Sequence, residues 1–288
     1  MTKPICVVTG ATGLIGSALI PVLLSKYEVH GVARCPPMVS GVRWHTLDLA
    51  TPCELGSLPQ RIDSVVYFAQ SEFFRDFPQH SLDVYQVNTV NLLRFLDYGR
   101  KAGARHFVYA SSGGVYGSGD HQMSEELVIP TRSDLGFYLT TKLCSEIVAQ
   151  NFSEFLSVVL LRFFFVYGPT QRQSMLIPRL IIRVRNGEPI QLQGERGIRI
   201  NPTHVSDAVA ATISALEISG SHTINVGGPD VLSLREIGEE IGRALNRNPI
   251  FSVDKNSTPR HLSGDISKMR ELLVPPRVSF SDGLLSML

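Results

Sequence analysis

The chain is poor in cysteine and tryptophan, with four and one, and its 288 residues sum to a net charge of only +1. Cys6, Cys35, Cys53 and Cys144 are scattered and form no Cys-x-x-Cys pair. That spacing argues against a metal knuckle or a disulfide framework, and no metal site is expected. Cys6 falls in a strand pattern and Cys144 in a helical one, so both read as buried free thiols of a reducing cytoplasm. The near-zero charge offers no field to a polyanion. Lys/Arg-rich blocks interleaved with aromatics are also missing, so no nucleic-acid partner is expected. No apolar run reaches the ~18 residues that cross a bilayer, which argues against a membrane partner. The first strand signal starts at Ile5, leaving no room ahead of it for a cleaved leader. Internal repeats and low-complexity tracts are missing too.

What the chain has is length and apolar residues, at 43% hydrophobic and 18% charged. This is enough to bury a sizeable core in one large domain or two closely joined ones. Its most informative segment is Thr9-Gly10-Ala11-Thr12-Gly13-Leu14-Ile15-Gly16, behind the apolar run Ile5-Cys6-Val7-Val8. A strand feeds a glycine-rich turn, and the turn opens a helix. Gly10 permits the tight turn, Gly13 lets a pyrophosphate approach the backbone, and Gly16 lets the helix pack on its strand. The first N–H groups of the helix face the phosphates. Dinucleotide binding is therefore expected, with Gly10, Thr12, Gly13, Leu14, Ile15 and Gly16 in contact.

Strand and helix patterns alternate through the first ~170 residues, as in successive βαβ units. Strands are predicted at Ile5–Thr9, Glu28–Ala33, Arg43–Leu47, Ser64–Ala69, His106–Ser111 and Ser157–Phe163. Helices are predicted at Leu14–Ser25, Ser81–Ala102 and Phe137–Phe152. The fold class is α/β, a Rossmann-type doubly wound parallel sheet over residues 1–169. The helix Ser81–Ala102 has apolar residues for one buried stripe and part of a second. That second stripe fits either a subunit contact, hence a homodimer, or burial within the monomer. Past Gly168-Pro169, Gly and Pro become denser and segments shorten: Ile177–Arg185, Ile190–Leu192, Asp207–Leu216, Thr223–Val226, Leu234–Leu245 and Asp265–Leu272. Residues 170–288 read as a smaller α/β substrate lobe, interwoven with the first domain and covering the carboxyl edge of its sheet.

Tyr138 and Lys142 are four apart on a predicted helix and share a face. A tyrosine beside an ammonium group and a cationic nicotinamide has its pKa lowered toward working pH. It can then exchange a proton with a carbinol or carbonyl oxygen while hydride moves. Ser111-Ser112 ends the preceding strand, at the carboxyl edge where ligands of such sheets bind. A hydroxyl there can hold the substrate oxygen against the tyrosine.

The motifs stand in one order: Thr9–Gly16, Asp48-Leu49, Asn88, Val108 to Gly117, Tyr138-x-x-x-Lys142, Leu161-Arg162, Tyr167-Gly168-Pro169, His204-Val205-Ser206-Asp207 and Asp265-x-Ser-Lys268. The sequence thereby resembles the extended short-chain dehydrogenase/reductases, the NAD-dependent epimerase/dehydratase family typified by UDP-glucose 4-epimerase. The resemblance runs nearly end to end. It implies a dinucleotide-binding domain, a C-terminal substrate lobe and a Ser/Tyr/Lys catalytic set. By position, Ser112 is the catalytic hydroxyl, Tyr138 the acid/base, and Lys142 the residue that lowers the tyrosine pKa and holds the nicotinamide ribose. Asp48 and Leu49 flank the adenine, and Phe68, Ala69 and Gln70 line the cofactor crevice. Asn88 joins the cofactor set, with helix positioning favoured over a catalytic role. Ser111, Gly113, Phe165, Arg199 and Arg260 are candidates for contact with a small-molecule substrate.

Two departures narrow the chemistry. Sugar-nucleotide 4,6-dehydratases carry Thr-Asp-Glu where this chain has Ser112-Gly113-Gly114. The 3,5-epimerase/reductases carry Ser-x-Cys there, and a histidine where this chain has Met175. Neither Gly113, Gly114 nor Met175 is an acid or base, so water elimination and 3,5-epimerisation are disfavoured. Phe165 replaces the family's diphosphate-holding Asn. Arg199, one residue out of register with the family's phosphate-binding arginine, and Arg260 are the available charges, or else solvated surface residues.

NAD-specific relatives end the second strand with an acid for the ribose 2′-hydroxyl. Here Ala33 holds that place and Arg34 follows, a residue suited to a 2′-phosphate. NADP is the cofactor expected, with NAD the alternative. The reading is an NAD(P)-dependent oxidoreductase or epimerase acting on a secondary alcohol or ketone of a nucleotide sugar. Its rivals are a carbonyl reductase with a non-nucleotide substrate and a non-catalytic dinucleotide sensor, which would commonly lack the tyrosine or the lysine.

Overall fold

The computed structural model describes residues 2–129 and 135–288. Its chain divides into two compact units, each made of several stretches. The first contains Met1–Val115, Ile129–Arg162 and Ala211–Ile224; the second contains Tyr116–Val128, Phe163–Ala210 and Asn225–Leu288.

The first unit is built on strands β1 (Ile5–Thr9), β2 (Glu28–Ala33), β3 (Val42–Thr46), β4 (Ser64–Tyr67), β5 (His106–Ser112) and β6 (Ser157–Phe163). With a seventh strand, His222–Val226, the order across the sheet is seventh, β6, β5, β4, β1, β2, β3. The pairs β1–β2, β1–β4, β2–β3 and β4–β5 are parallel. Order thus reverses at β1, between β2 and β4, the switch point where doubly wound sheets bind their ligands. Central β1 and β4 read as unbroken apolar runs because both faces of a parallel sheet are covered. Cys6, Val7 and Val8 of β1, and Val65, Val66 and Tyr67 of β4, are fully buried. Tyr67 packs edge-on against Phe95 at 5.5 Å between centroids, and its hydroxyl donates to the Val87 carbonyl at 2.5 Å.

Helices α1 (Leu14–Lys26), α2 (Ser81–Tyr85), α3 (Asn91–Lys101) and α4 (Phe137–Gln150) belong to this unit. The single helix expected over Ser81–Ala102 is divided by a π-helical turn at Gln86–Val90. Asn88 lies inside that turn and is fully buried. Its Oδ1 accepts from the Ser71 N–H at 3.1 Å and its Nδ2 donates to Thr141 Oγ1 at 3.0 Å. The widened turn accompanies this two-sided amide, which ties the loop after β4 to α4. Strand β4 also stops short of its expected end at Ala69. Thr9 Oγ1 accepts from the N–H groups of Phe68 and Ala69, each at 3.2 Å, and the Phe68 N–H is shared with the Thr9 carbonyl at 3.3 Å.

The second unit has its own core of Tyr167, Ile177, Leu180, Ile181, Val184, Ile190, Ile237, Ile241, Phe280 and Leu284. The helix Leu176–Asn186 supplies one side of it and Leu234–Leu245 another. The latter begins with a capping box, Ser233 and Glu236 bonding reciprocally. This arrangement is worth about 1 kcal/mol.

Candidate active site

The glycine-rich turn lies between β1 and α1, as the sequence predicts. Gly10 has φ of +62°, and a Cβ there would sit 2.5 Å from the Phe68 carbonyl carbon. A Cβ on Gly16 would overlap the Gly10 carbonyl oxygen, so α1 packs on the turn at a distance only glycine permits. The N-cap Gly13 makes no side-chain cap bond, and the first turn of α1 holds no acidic residue. Thr12 and Gly13 are exposed, and Leu14 and Ile15 are half-buried. The cradle therefore fits a dinucleotide: N–H groups without side-chain caps, a helix N-terminus without competing negative charge, and no Cβ where a pyrophosphate approaches. Phe68, Ala69 and Gln70 follow β4 next to Gly10. Leu49 is buried, whereas Asp48 is exposed with its Oδ1 accepting from the Ala50 N–H at 3.0 Å.

Helix α4 presents Tyr138, Lys142 and Glu146 one turn apart. The Tyr138 ring rests against Phe74 at 5.1 Å, and its hydroxyl donates to Gln70 Oε1 at 3.0 Å. Lys142 is buried; its Nζ donates to the Ala110 carbonyl at 2.7 Å and lies 5.0 Å from the Tyr109 ring centroid. It stands 5.9 Å from the Tyr138 ring centroid. Burial lowers its pKa to about 7, against the opposing attraction of Glu146. Partial burial of the phenol raises the Tyr138 pKa, and the lysine directs its hydrogen bond to the backbone of β5 rather than to the phenol.

Ser112 ends β5, half-buried, and its Oγ accepts from the Gly114 N–H at 3.1 Å. Gly114 packs against α4 so closely that a Cβ would lie 2.7 Å from Leu139 Cδ2. A side chain at 114 would have to displace the Leu139 methyls. Gly113 is buried beside it in the short 3₁₀ turn Gly113–Tyr116. Ser111, proposed from the sequence to meet substrate, is buried and donates to Glu146 Oε1. Glu146 is in turn held by Arg162, with Nε to Oε1 at 3.0 Å and Nη2 to Oε2 at 2.6 Å. Ser111 faces this inner ion pair and not the side of Ser112. Glu146 and Arg162 are the polar groups that sequence reasoning left without a role. The signal was present: an acid one helical turn past Lys142 and an arginine inside an otherwise apolar strand.

In the second unit, Phe165 adopts φ of +42°, unusual for a bulky residue, and its carbonyl accepts from the Thr203 N–H at 3.2 Å. Its side chain joins the margin of the apolar core. Arg199 and Arg260 are both exposed. The Arg199 N–H donates to His261 Nδ1 at 3.0 Å, which brings the two arginine-bearing segments side by side.

Arg34 is exposed and paired at the surface: its Nη1 donates to Glu72 Oε1 at 2.7 Å. Comparison with known proteins removes the remaining ground for NADP as first choice. Solved structures similar to this chain contain NAD. One is MoeE5 in complex with UDP-glucuronic acid and NAD, 30% identical with a TM-score of 0.84, the match covering 98% of this chain and 97% of that one. Another is UDP-glucuronic acid 4-epimerase from Bacillus cereus in complex with UDP-glucuronic acid and NAD. It is 28% identical with a TM-score of 0.86, over 98% and 97% of the two chains. Among curated proteins, an uncharacterized UDP-glucose epimerase, YtcB of Bacillus subtilis (strain 168), is 30% identical over 96% of this chain and 94% of its own. Residues 6–227 match the model of the NAD dependent epimerase/dehydratase family. With the sheet order, the glycine cradle and the Tyr138–Lys142 helix agreeing, the chain belongs to that family, enzymes of the extended short-chain dehydrogenase/reductase type.

Proposed function

We propose that the protein is an NAD-dependent enzyme that interconverts a secondary alcohol and a ketone at C4 of a UDP-hexose or UDP-hexuronic acid, acting as a 4-epimerase. What supports this is that Tyr138 and Lys142 stand one turn apart on α4, that Lys142 reaches the Ala110 carbonyl of β5, the strand that ends at Ser112, and that Gly113 and Gly114 add no further acid or base. Bound NAD supplies a hydride acceptor and, in return, a hydride donor. Ser112 Oγ orients the sugar hydroxyl. Tyr138 exchanges its hydrogen bond with Gln70 for one with the substrate and takes the hydroxyl proton as C4 is oxidised. In the reverse direction Tyr138 would give that proton back to the C4 oxygen. In its protonated form Lys142, 5.9 Å from the Tyr138 ring centroid, favours the phenolate. The UDP-sugars held by MoeE5 and the Bacillus cereus epimerase support the substrate class.

Arg199 and Arg260 are proposed to meet the diphosphate in place of the amide that Phe165 lacks. Leu82, Tyr85 and Leu93 of the α2–α3 segment and Ile147 of α4 are at least 44% exposed. Single exposed apolar residues are ordinary, but four on adjoining helices support a homodimer through this face. Four free cysteines support a place in the reducing cytoplasm.

The purified protein, incubated with NAD and separately with UDP-glucose, UDP-glucuronic acid and dTDP-glucose, tests the reaction. Mass spectrometry is expected to find products of unchanged mass, or lighter by two hydrogens. Loss of one water would show an acid/base that this site does not contain.

A further inference from the structure

Strand β2 ends at Ala33, where a carboxylate would accept the 2′-hydroxyl of an adenosine ribose. Glu28, at the opposite end of that strand, is engaged elsewhere: His30 Nε2 and Arg43 Nε both lie 3.1 Å from its Oε1. A carboxylate nevertheless reaches the right edge from another part of the first unit. The loop after β4 carries Glu72 to Arg34, the residue that follows Ala33, and the two side chains pair at 2.7 Å. The loop is tied down one residue earlier. Ser71 donates its N–H to Asn88 Oδ1, and its Oγ accepts the Phe73 N–H, both at 3.1 Å. Asp48 is the other acid that acts on Arg34, at longer range, and its Oδ1 is occupied by the Ala50 N–H.

We propose that Glu72 selects the cofactor: it supplies from the loop after β4 the carboxylate that β2 lacks, and it masks Arg34 against a 2′-phosphate. This rests on the dinucleotide reading above. An exposed Arg–Glu pair adds little to stability, so its consequence lies in discrimination. A ribose diol needs only an acceptor, and a carboxylate offers about four lone-pair sites. A 2′-phosphate brings a charge of about −2. To reach Arg34 it must displace Glu72 and then remain beside its negative charge.

Calorimetric titration of NAD and NADP, after removal of any nucleotide that co-purifies, tests this on wild type, Glu72→Gln, Glu72→Lys, Arg34→Ala and the double variant Glu72→Gln/Arg34→Ala. Wild type is expected to prefer NAD. Glu72→Gln should shift the affinity ratio toward NADP about five- to tenfold, the equivalent of ~1 kcal/mol. Glu72→Lys should shift it further, and Arg34→Ala in the Gln background should abolish the gain. Thermal melts confirm that each variant is folded. An unchanged ratio in both Glu72 variants, or a wild-type preference for NADP, overturns the role of Glu72 and leaves dinucleotide binding standing. A folded wild-type chain that binds neither nucleotide overturns both.

Discussion

In the first unit Lys142 and Ser111 are held by other buried groups, whereas Arg199, Arg260 and Phe165 of the second stand at the surface or at the margin of apolar packing. Lys142 is fixed by the Ala110 carbonyl, and beneath it Ser111, Glu146 and Arg162 satisfy one another at distances of hydrogen bonds. Arg199 and Arg260 are exposed, and Phe165 packs at the rim of a core. Catalytic groups need a rigid supporting shell, and the buried contacts of Lys142, Ser111, Glu146 and Arg162 in the first unit are of that kind. Substrate choice tolerates surface arginines and loops, and such positions change with little cost to the fold.

Substitutions in the two units should therefore fail differently. Tyr138→Phe is expected to lower turnover about 10²–10⁴-fold, the usual worth of a positioned acid/base, with NAD affinity unchanged. Steady-state kinetics beside calorimetry would check it, and wild-type turnover in the variant would remove Tyr138 from the mechanism. Arg162→Met should destabilise by about 3–5 kcal/mol, because Glu146 is left buried with its charge uncompensated. Urea unfolding measures this, and Arg162→Lys should recover only part of the loss, since a lysine cannot reproduce the two-point contact.

Lys142→Met sharpens the comparison through pH. The unfolded lysine keeps its proton up to about 10.5, the folded one only up to about 7. Between these values folding releases a proton, so wild-type stability rises with pH, by up to ~1.4 kcal/mol per pH unit. The penalty is complete below about pH 7 and disappears above about 10.5. The stability gained in Lys142→Met should therefore be larger at pH 6.5 than at pH 9.5, and a gain independent of pH would contradict the depressed pKa. In the second unit, Arg199→Ala and Arg260→Ala should each raise KM for the nucleotide sugar about tenfold, or ~1.4 kcal/mol. Neither should change kcat, and melting should stay close to wild type, as for surface substitutions generally. A loss confined to kcat would erase the contrast between the units.

The same contrast governs what was legible in the sequence. The turn Gly10–Gly16 and the alternation of strands and helices are backbone properties, and they show in residue type and spacing alone. The Tyr138–Lys142 pair follows from helical periodicity. The π-helical turn at Gln86–Val90 does not show in spacing, because the two Asn88 bonds that accompany it join residues far apart in the chain. The Arg34–Glu72 pair was hidden for the same reason: Arg34 was read beside Ala33, its neighbour in sequence, and Glu72 approaches from another loop. The raised pKa of Tyr138 could not be read from spacing, because desolvation depends on what encloses the phenol. Sequence shows which groups the chain carries, and long-range packing decides which of them meet.

The central claim is that C4 of the sugar is oxidised and reduced by hydride, with Tyr138 moving only the hydroxyl proton. UDP-glucose and UDP-glucuronic acid labelled with deuterium at C4, incubated with the enzyme and NAD and analysed by NMR and mass spectrometry, test it most directly. The deuterium is expected to remain on carbon, at C4 of the epimer or on the nicotinamide ring. Release of the label into water, with epimer formed, would show proton abstraction from carbon and contradict the assignment.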